Sequence, residues 1–200
     1  FFALAGTNTL NTDASGGSVA KDQSMNDGYN EADMLAAYSE TSARRQTLTF
    51  TLKHLMAQFT IVLRNSDNAS TAFTTDQLRT ATTSMSSLHT DYTTSFTSSS
   101  CSVTAGTGTP TDVKLCPDAS NASSTSTMTY RCILPAQTVG SVTVNIEGKL
   151  YSINIDHDIK AGENTVQTLL VSKTGIQLGN VSVSNWIEND IGNANLAINL

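Results

Sequence analysis

The chain has 200 residues, a net charge of −6 and charged side chains at only 14% of positions. Phosphate binding needs clustered Lys and Arg, and the only adjacent basic pair is Arg44-Arg45, so the composition excludes a nucleic-acid partner. No apolar run approaches the roughly 18 residues needed to cross a bilayer as a helix. Ser and Thr make up about a quarter of the chain, well above ordinary soluble-protein usage. With Val and Ile, the Thr residues suit strands and the Ser-rich tracts suit loops, which favours an all-β fold.

Residues 1–45 read differently from the rest. Opening on Phe1-Phe2, without an initiator Met or leader, is expected of a processed or truncated product. Phe1 to Leu4 suits the end of a strand, and Gly16-Gly17 a loop. Glu31 to Tyr38 (EADMLAAY) is the one stretch of reasonable helix formers, too short to be stable alone. Such a segment cannot build its own core and must pack against the remainder or another domain.

Leu48 to Leu63 reads LTFTLKHLMAQFTIVL. Apolar residues alternate at Leu48, Phe50 and Leu52, and again at Ala57, Phe59, Ile61 and Leu63, but the two runs are out of phase. Side chains change face at every strand residue, so the odd step predicts a bulge or break near Lys53 to Leu55. His54 sits there, expected as a packed, hydrogen-bonded residue.

After a turn at Asn65 to Ser70, Asp76 to Arg79 suits one helical turn, and Ala81 to Leu88 alternates weakly around Met85. Ser95 to Thr111 and Asp118 to Thr127 read as exposed loops, with a short strand at Val113 to Leu115 between them. Met128, Tyr130, Cys132 and Leu134 then alternate. Val142, Val144 and Ile146 are followed by a turn at Glu147-Gly148-Lys149 and by Tyr151, Ile153 and Ile155, which is a hairpin pattern. A polar loop, Asp156 to Asn164, leads to strands at Val166 to Val171, Ile176 to Leu178 and Val181 to Trp186. The chain closes on Leu196, Ile198 and Leu200, all on one face. At least seven strands and almost no helix predict an antiparallel β-sandwich over residues 46–200. Phe50, Phe59, Ile61, Leu134, Val144 and Ile153 are expected between its sheets.

Three cysteines leave one unpaired or all three reduced. In an exported chain, a Cys101–Cys116 disulfide would staple the Ser/Thr-rich excursion, with Cys132 buried as a small hydrophobe. The spacing matches no zinc pattern, and Asp156-His157-Asp158 reads as a solvated turn rather than a cation site. There is no G-x-S-x-G elbow and no phosphate-cradling glycine loop, so no catalytic residue, metal or cofactor is expected. Tyr29, Tyr38, Tyr92 and Trp186 could stack on sugars if exposed, although aromatics on sandwiches are usually core.

Asp22 to Ala37 (DQSMNDGYNEADMLAA), Leu48 to Leu63, Tyr130 to Thr138 (YRCILPAQT), the hairpin with Gly148 and Tyr151, Ala161 to Thr165 (AGENT) and a late Trp186 occur in that order. Together they resemble the fimbrillin-like proteins of Bacteroidia, the subunits and accessory adhesins of type V pili. The resemblance implies two β-sandwich-type domains, with residues 1–45 the tail of a partly missing first domain and 46–200 the second. It implies an exported, cell-surface protein whose partners are copies of itself or other pilus subunits, with adhesion to surface glycans or proteins. It also implies assembly by donor-strand exchange, one subunit's strand completing its neighbour's sheet. On this chain that role falls on Asn193 to Leu200, with Leu196, Ile198 and Leu200 as the inserted side chains. A non-polymerising glycan-binding surface domain is the alternative.

Overall fold

The computed structural model describes residues 2–6, 10–39 and 50–186. The chain runs through β1 (Phe2–Ala5), β2 (Gly16–Ser18), α1 (Asn26–Asn30), β3 (Leu35–Tyr38), β4 (Lys53–His54) and β5 (Ala57–Asn65). It continues through α2 (Thr75–Arg79), β6 (Thr82–Leu88), β7 (Asp91–Phe96), β8 (Cys101–Ala105), β9 (Thr111–Lys114) and β10 (Cys116–Pro117). A 3-10 turn at Ala119–Ala122 precedes β11 (Thr127–Leu134), β12 (Gln137–Ile146), β13 (Lys149–Ile159), β14 (Glu163–Ser172) and β15 (Gly175–Asn185).

Two sheets make the sandwich. One has the strand order β10-β11-β5-β14-β15 and the other β13-β12-β6-β9. Neighbours run antiparallel except β5 and β14, which are parallel. Their facing side chains form one apolar core that includes Phe59, Ile61, Leu134 and Val144, all fully buried. Ile153 is partly buried against that core. Phe50 is also buried, but in a separate small cluster with Ala37, Ala3 and Leu52. Two small sheets, β1-β3-β4 and β2-β7-β8, complete the fold.

The break at His54 is real, but its consequence differs from a bulge in one long strand. β4 pairs with β3, whereas β5 lies between β11 and β14, so the chain changes sheets at Leu55-Met56. The phase change therefore matches a change of core, which is why Phe50 and Phe59 are buried in different clusters.

Residues 10–39 build no core of their own. Val19, Tyr29, Ala32 and Met34 join the main cluster. The buried Gln23 side chain accepts from Ile133 N–H at 2.9 Å and donates to Ile133 C=O at 2.9 Å, completing the ladder where β11 has no strand beside it. The helical expectation for Glu31 to Tyr38 is corrected. Helix forms earlier, at Asn26–Asn30, and Leu35–Tyr38 is a strand because β1 and β4 satisfy its backbone from both sides.

Other boundaries move for similar reasons. Ser95 to Thr111 contains half of the β7–β8 hairpin rather than open loop. Asp156 to Ile159 extends β13, so Asp156, His157 and Asp158 alternate between faces instead of converging. Glu147 and Gly148 turn the β12–β13 hairpin with φ of 52° and 82°, the left-handed pair that a two-residue turn of this type requires. Thr74 caps α2 reciprocally with Gln77.

Candidate functional site

The site starts from the alternation of β14. Thr165, Gln167, Leu169 and Val171 point to the core and are buried. Residues paired across an antiparallel ladder share a face, so their β15 partners Val183, Val181, Leu178 and Ile176 face the same way. Three of these are about half exposed: Val183 at 49%, Val181 at 48% and Leu178 at 48%. Ile176 alone packs partly against the core.

The rows across the sheet make the reason visible. Cys132, Phe59, Thr165 and Val183 lie side by side on β11, β5, β14 and β15, and only Val183 is uncovered. Tyr130, Ile61, Gln167 and Val181 form a second such row, and Met128, Leu63, Leu169 and Leu178 a third. In each row the cover stops at β14. The opposing sheet ends at β13, whose Tyr151, Ile153 and Ile155 face inward; β13 reaches β15, where Ile176 packs, but leaves Leu178, Val181 and Val183 half exposed.

A local device keeps the three exposed side chains in phase. Leu178 and Val181 are an odd number of residues apart, yet a register shift between their partners puts both on one face. The buried Gln167 amide donates to the carbonyls of Thr168 at 2.8 Å, Gly179 at 3.3 Å and Asn180 at 3.4 Å, holding the bulged backbone. A Cβ on Gly179 would stand 3.1 Å from Thr168, so the close approach favours glycine there.

Edge strands are usually blunted by charge, proline or a cover. β15 has no charged residue and no proline. Among the described residues β15 pairs only with β14 and β13 only with β12, so two free edges border one apolar strip. A further strand beside β13 would extend that sheet over Val181 and Val183. Chemically, this arrangement offers main-chain pairing plus pockets for alternate apolar side chains.

The other sequence-derived candidates are distributed as follows. Leu196, Ile198 and Leu200 lie outside the described residues. Cys101, Cys116 and Cys132 are free thiols, so the Cys101–Cys116 bridge is not formed in the structure. Cys101 is on β8, paired with Phe96, while Cys116 is on β10 of the main sandwich with its thiol 3.5 Å from Asn26 Oδ1. Burial pushes the Cys132 thiol strongly up and those of Cys101 and Cys116 up less. Tyr29, Tyr92 and Trp186 are buried and Tyr38 is half-buried against Phe2, so this aromatic set presents no sugar-stacking face. His54 is packed: its Nδ1 lies 3.0 Å from both Asp33 carboxylate oxygens, and its ring stacks on Trp186. Among the described residues no three His, Cys, Asp or Glu side chains gather as metal ligands, and no helix is long and apolar enough to span a membrane. The uncovered strip was missed because Val181-Ser182-Val183-Ser184 alternates like any half-buried strand. The lack of charge throughout Gly175–Asn185 was the available signal.

A family model described as fimbrillin-like matches residues 1–186. The chain belongs to the fimbrillin-like family. No curated protein matches it. A solved structure of a proposed cell adhesion protein from Bacteroides ovatus is similar, with TM-score 0.65 at 15% identity, over 94% of this chain and 62% of that one. Another, from Bacteroides uniformis, has TM-score 0.57 at 16% identity, over 78% of this chain and 72% of its own length. At such identities the likeness establishes a shared fold for this fimbrillin-like chain.

Proposed function

We propose that this fimbrillin-like chain is a structural subunit of an extracellular, cell-surface fimbria that supports adhesion and joins its neighbours by donor-strand exchange. The observation that carries this reading is the uncharged edge strand β15, whose core-facing Leu178, Val181 and Val183 are left half exposed. Family membership and the shared fold with proposed cell adhesion proteins support the fimbrial setting. In this reading residues 46–200 are the assembling sandwich, and residues 1–45 are the tail of an N-terminal β domain that packs into it through Val19, Tyr29, Ala32 and Met34.

The donor is Asn193 to Leu200 of a neighbouring copy. Eight extended residues reach about 26 Å, enough to span the strip from Ile176 to Val183, whose β14 partners Val171 to Thr165 cover about 20 Å. Leu196, Ile198 and Leu200 recur at every second position, so all three would enter pockets on one face while the backbone pairs with the open edge. Partners are therefore copies of the chain or other pilus subunits. No step of this assembly calls for a cofactor.

Size analysis and electron microscopy test the assignment, using the full chain, a chain lacking residues 193–200, and the peptide Asn193–Leu200. The shortened chain should stay folded, fail to assemble and bind the peptide, and Val181→Lys or Val183→Lys should block both assembly and peptide binding. Filaments that persist without the segment, or that tolerate both lysines, would sink donor-strand exchange. Sugar binding on a glycan array by a full chain that never assembles would establish the surface glycan-binding alternative.

A further inference from the structure

β15 has a mechanical weakness. Among the described residues its ladder bonds run to β14 alone, and its last pair, Asn185 with Glu163, stands next to Trp186. Tension applied through residues beyond Trp186 reaches this last pair first. Unless something intervenes, such a pull opens an edge ladder one bond at a time, starting at Asn185.

At that point the chain is held by a different kind of contact. Trp186 is buried, and its indole lies flat on the His54 imidazole with ring centroids 3.8 Å apart and planes 12° apart. Trp186 N–H donates to Gly162 C=O at 2.8 Å. His54 is held from its other side by Asp33, whose two carboxylate oxygens both lie 3.0 Å from Nδ1. The side chains of His54 and Asp33 are 7% and 11% exposed, so water competes little for the pair. Backbone bonds join the same segments, with Leu55 N–H donating to Met34 C=O and Gly162 N–H to Met56 C=O, both at 2.8 Å. Four segments far apart in sequence therefore meet under one indole: the loop at Asp33, β4, the β13–β14 turn at Gly162, and the exit from β15.

We infer that Asp33, His54 and Trp186 form a clamp that anchors the root of the C-terminal segment and diverts pulling force from β15 into the body of the sandwich. His54 and Asp33 act as positioning residues, since they fix the plane on which Trp186 rests, and Trp186 is the gripped group. The inference rests on the donor-strand reading for its purpose, because only a segment engaged by a neighbour carries tension. The clamp itself is a property of the single chain. Its strength comes from opening as one unit: the ring stack, the buried His54–Asp33 contact and the Gly162 bond must be lost together before the first ladder bond is exposed.

Hydrogen exchange and single-molecule pulling on the full chain test it. In Trp186→Ala and Asp33→Asn, amides of Gly175–Asn185 should exchange at least about tenfold faster, with those of β5 and β11 unchanged, because only local opening becomes easier. Trp186→Phe keeps an aromatic face and should restore most of the protection. Pulled from the C-terminus, the wild type should open in one main event. Trp186→Ala should show an earlier event at lower force, with a length gain of about 35–40 Å as eleven residues extend. Trp186 is the only tryptophan in the chain, so its fluorescence reports directly whether His54→Ala and Asp33→Asn loosen the stack. Unchanged exchange across β15 in both variants overturns the clamp, as does an equal rise across all strands. If Val183→Lys blocks assembly while Trp186→Ala leaves β15 protected, the clamp falls and strand addition stands. If the wild type never assembles but Trp186→Ala exposes β15 alone, strand addition falls and the clamp stands.

Discussion

Phe59 and Val183 lie in one row of one sheet, on the same face and separated only by Thr165, yet Phe59 is fully buried and Val183 is 49% exposed. Both belong to strands whose apolar residues alternate with polar ones. The difference lies across the sandwich, where β5 is an inner strand with the core closed over it, while β15 is an edge strand that β13 reaches without closing over Val181 and Val183. The comparison teaches that apolar alternation records which face a residue takes, while burial depends on whether another layer stands opposite. Where the face is apolar and the layer is missing, the surface is suited to a partner.

The sharpest test of that contrast is truncation. Phe59→Ala should destabilise the chain by about 3–5 kcal/mol, the usual result of emptying a packed site. Val183→Ala on the same row should change stability by less than about 0.5 kcal/mol, as at ordinary exposed positions. Urea unfolding of the two variants checks both, and equal losses would show that β15 is covered after all.

A smaller effect is expected at Tyr130, in the row of Val181 but at its buried end. The hydroxyl donates to Ala81 C=O at 2.7 Å, and burial pushes the phenol up to about 12. A folded pKa above the ordinary value of 10 means that the neutral phenol's contribution is fully present below pH 10. It is lost as pH rises from 10 towards 12. Tyr130→Phe should be less stable by about 1 kcal/mol at neutral pH for want of the hydrogen bond, and should lose the part of the alkaline decline due to this group. Thermal unfolding between pH 7 and 12 reads both changes.

Val183→Lys should barely alter monomer stability, within about 0.5 kcal/mol, while stopping assembly. The measurement pairs a melting curve with sedimentation. A stable variant that still assembles would separate the exposed strip from polymerisation. The least change of all is expected from the thiols. Counting on denatured, non-reduced protein should give three, and on native protein Cys101 should react first and Cys132 last, since Cys132 is fully buried with its thiol pushed furthest up.

Much of the fold is local and was legible in the chain. Met128 to Leu134, the Val142 to Ile155 hairpin with its Glu147-Gly148 turn, and the helical turn that Thr74 caps depend on two-residue alternation, left-handed backbone and a reciprocal hydrogen bond within four residues. The phase break at His54 was legible for the same reason, because counting faces needs no knowledge of what lies opposite. The family resemblance rested on the same ordered segments. What the sequence could not contain was pairing at a distance. Leu35–Tyr38 has helix-forming residues but became a strand because β1 and β4 stand on either side of it. Asp33, His54 and Trp186 meet only because β4 and β15 end at the same place in space. The strip on β15 is the plainest case. Its side chains have the pattern of a buried strand, yet at this edge the opposing sheet, ending at β13, leaves them half exposed, because burial is decided by the layer across the core and not by the strand itself.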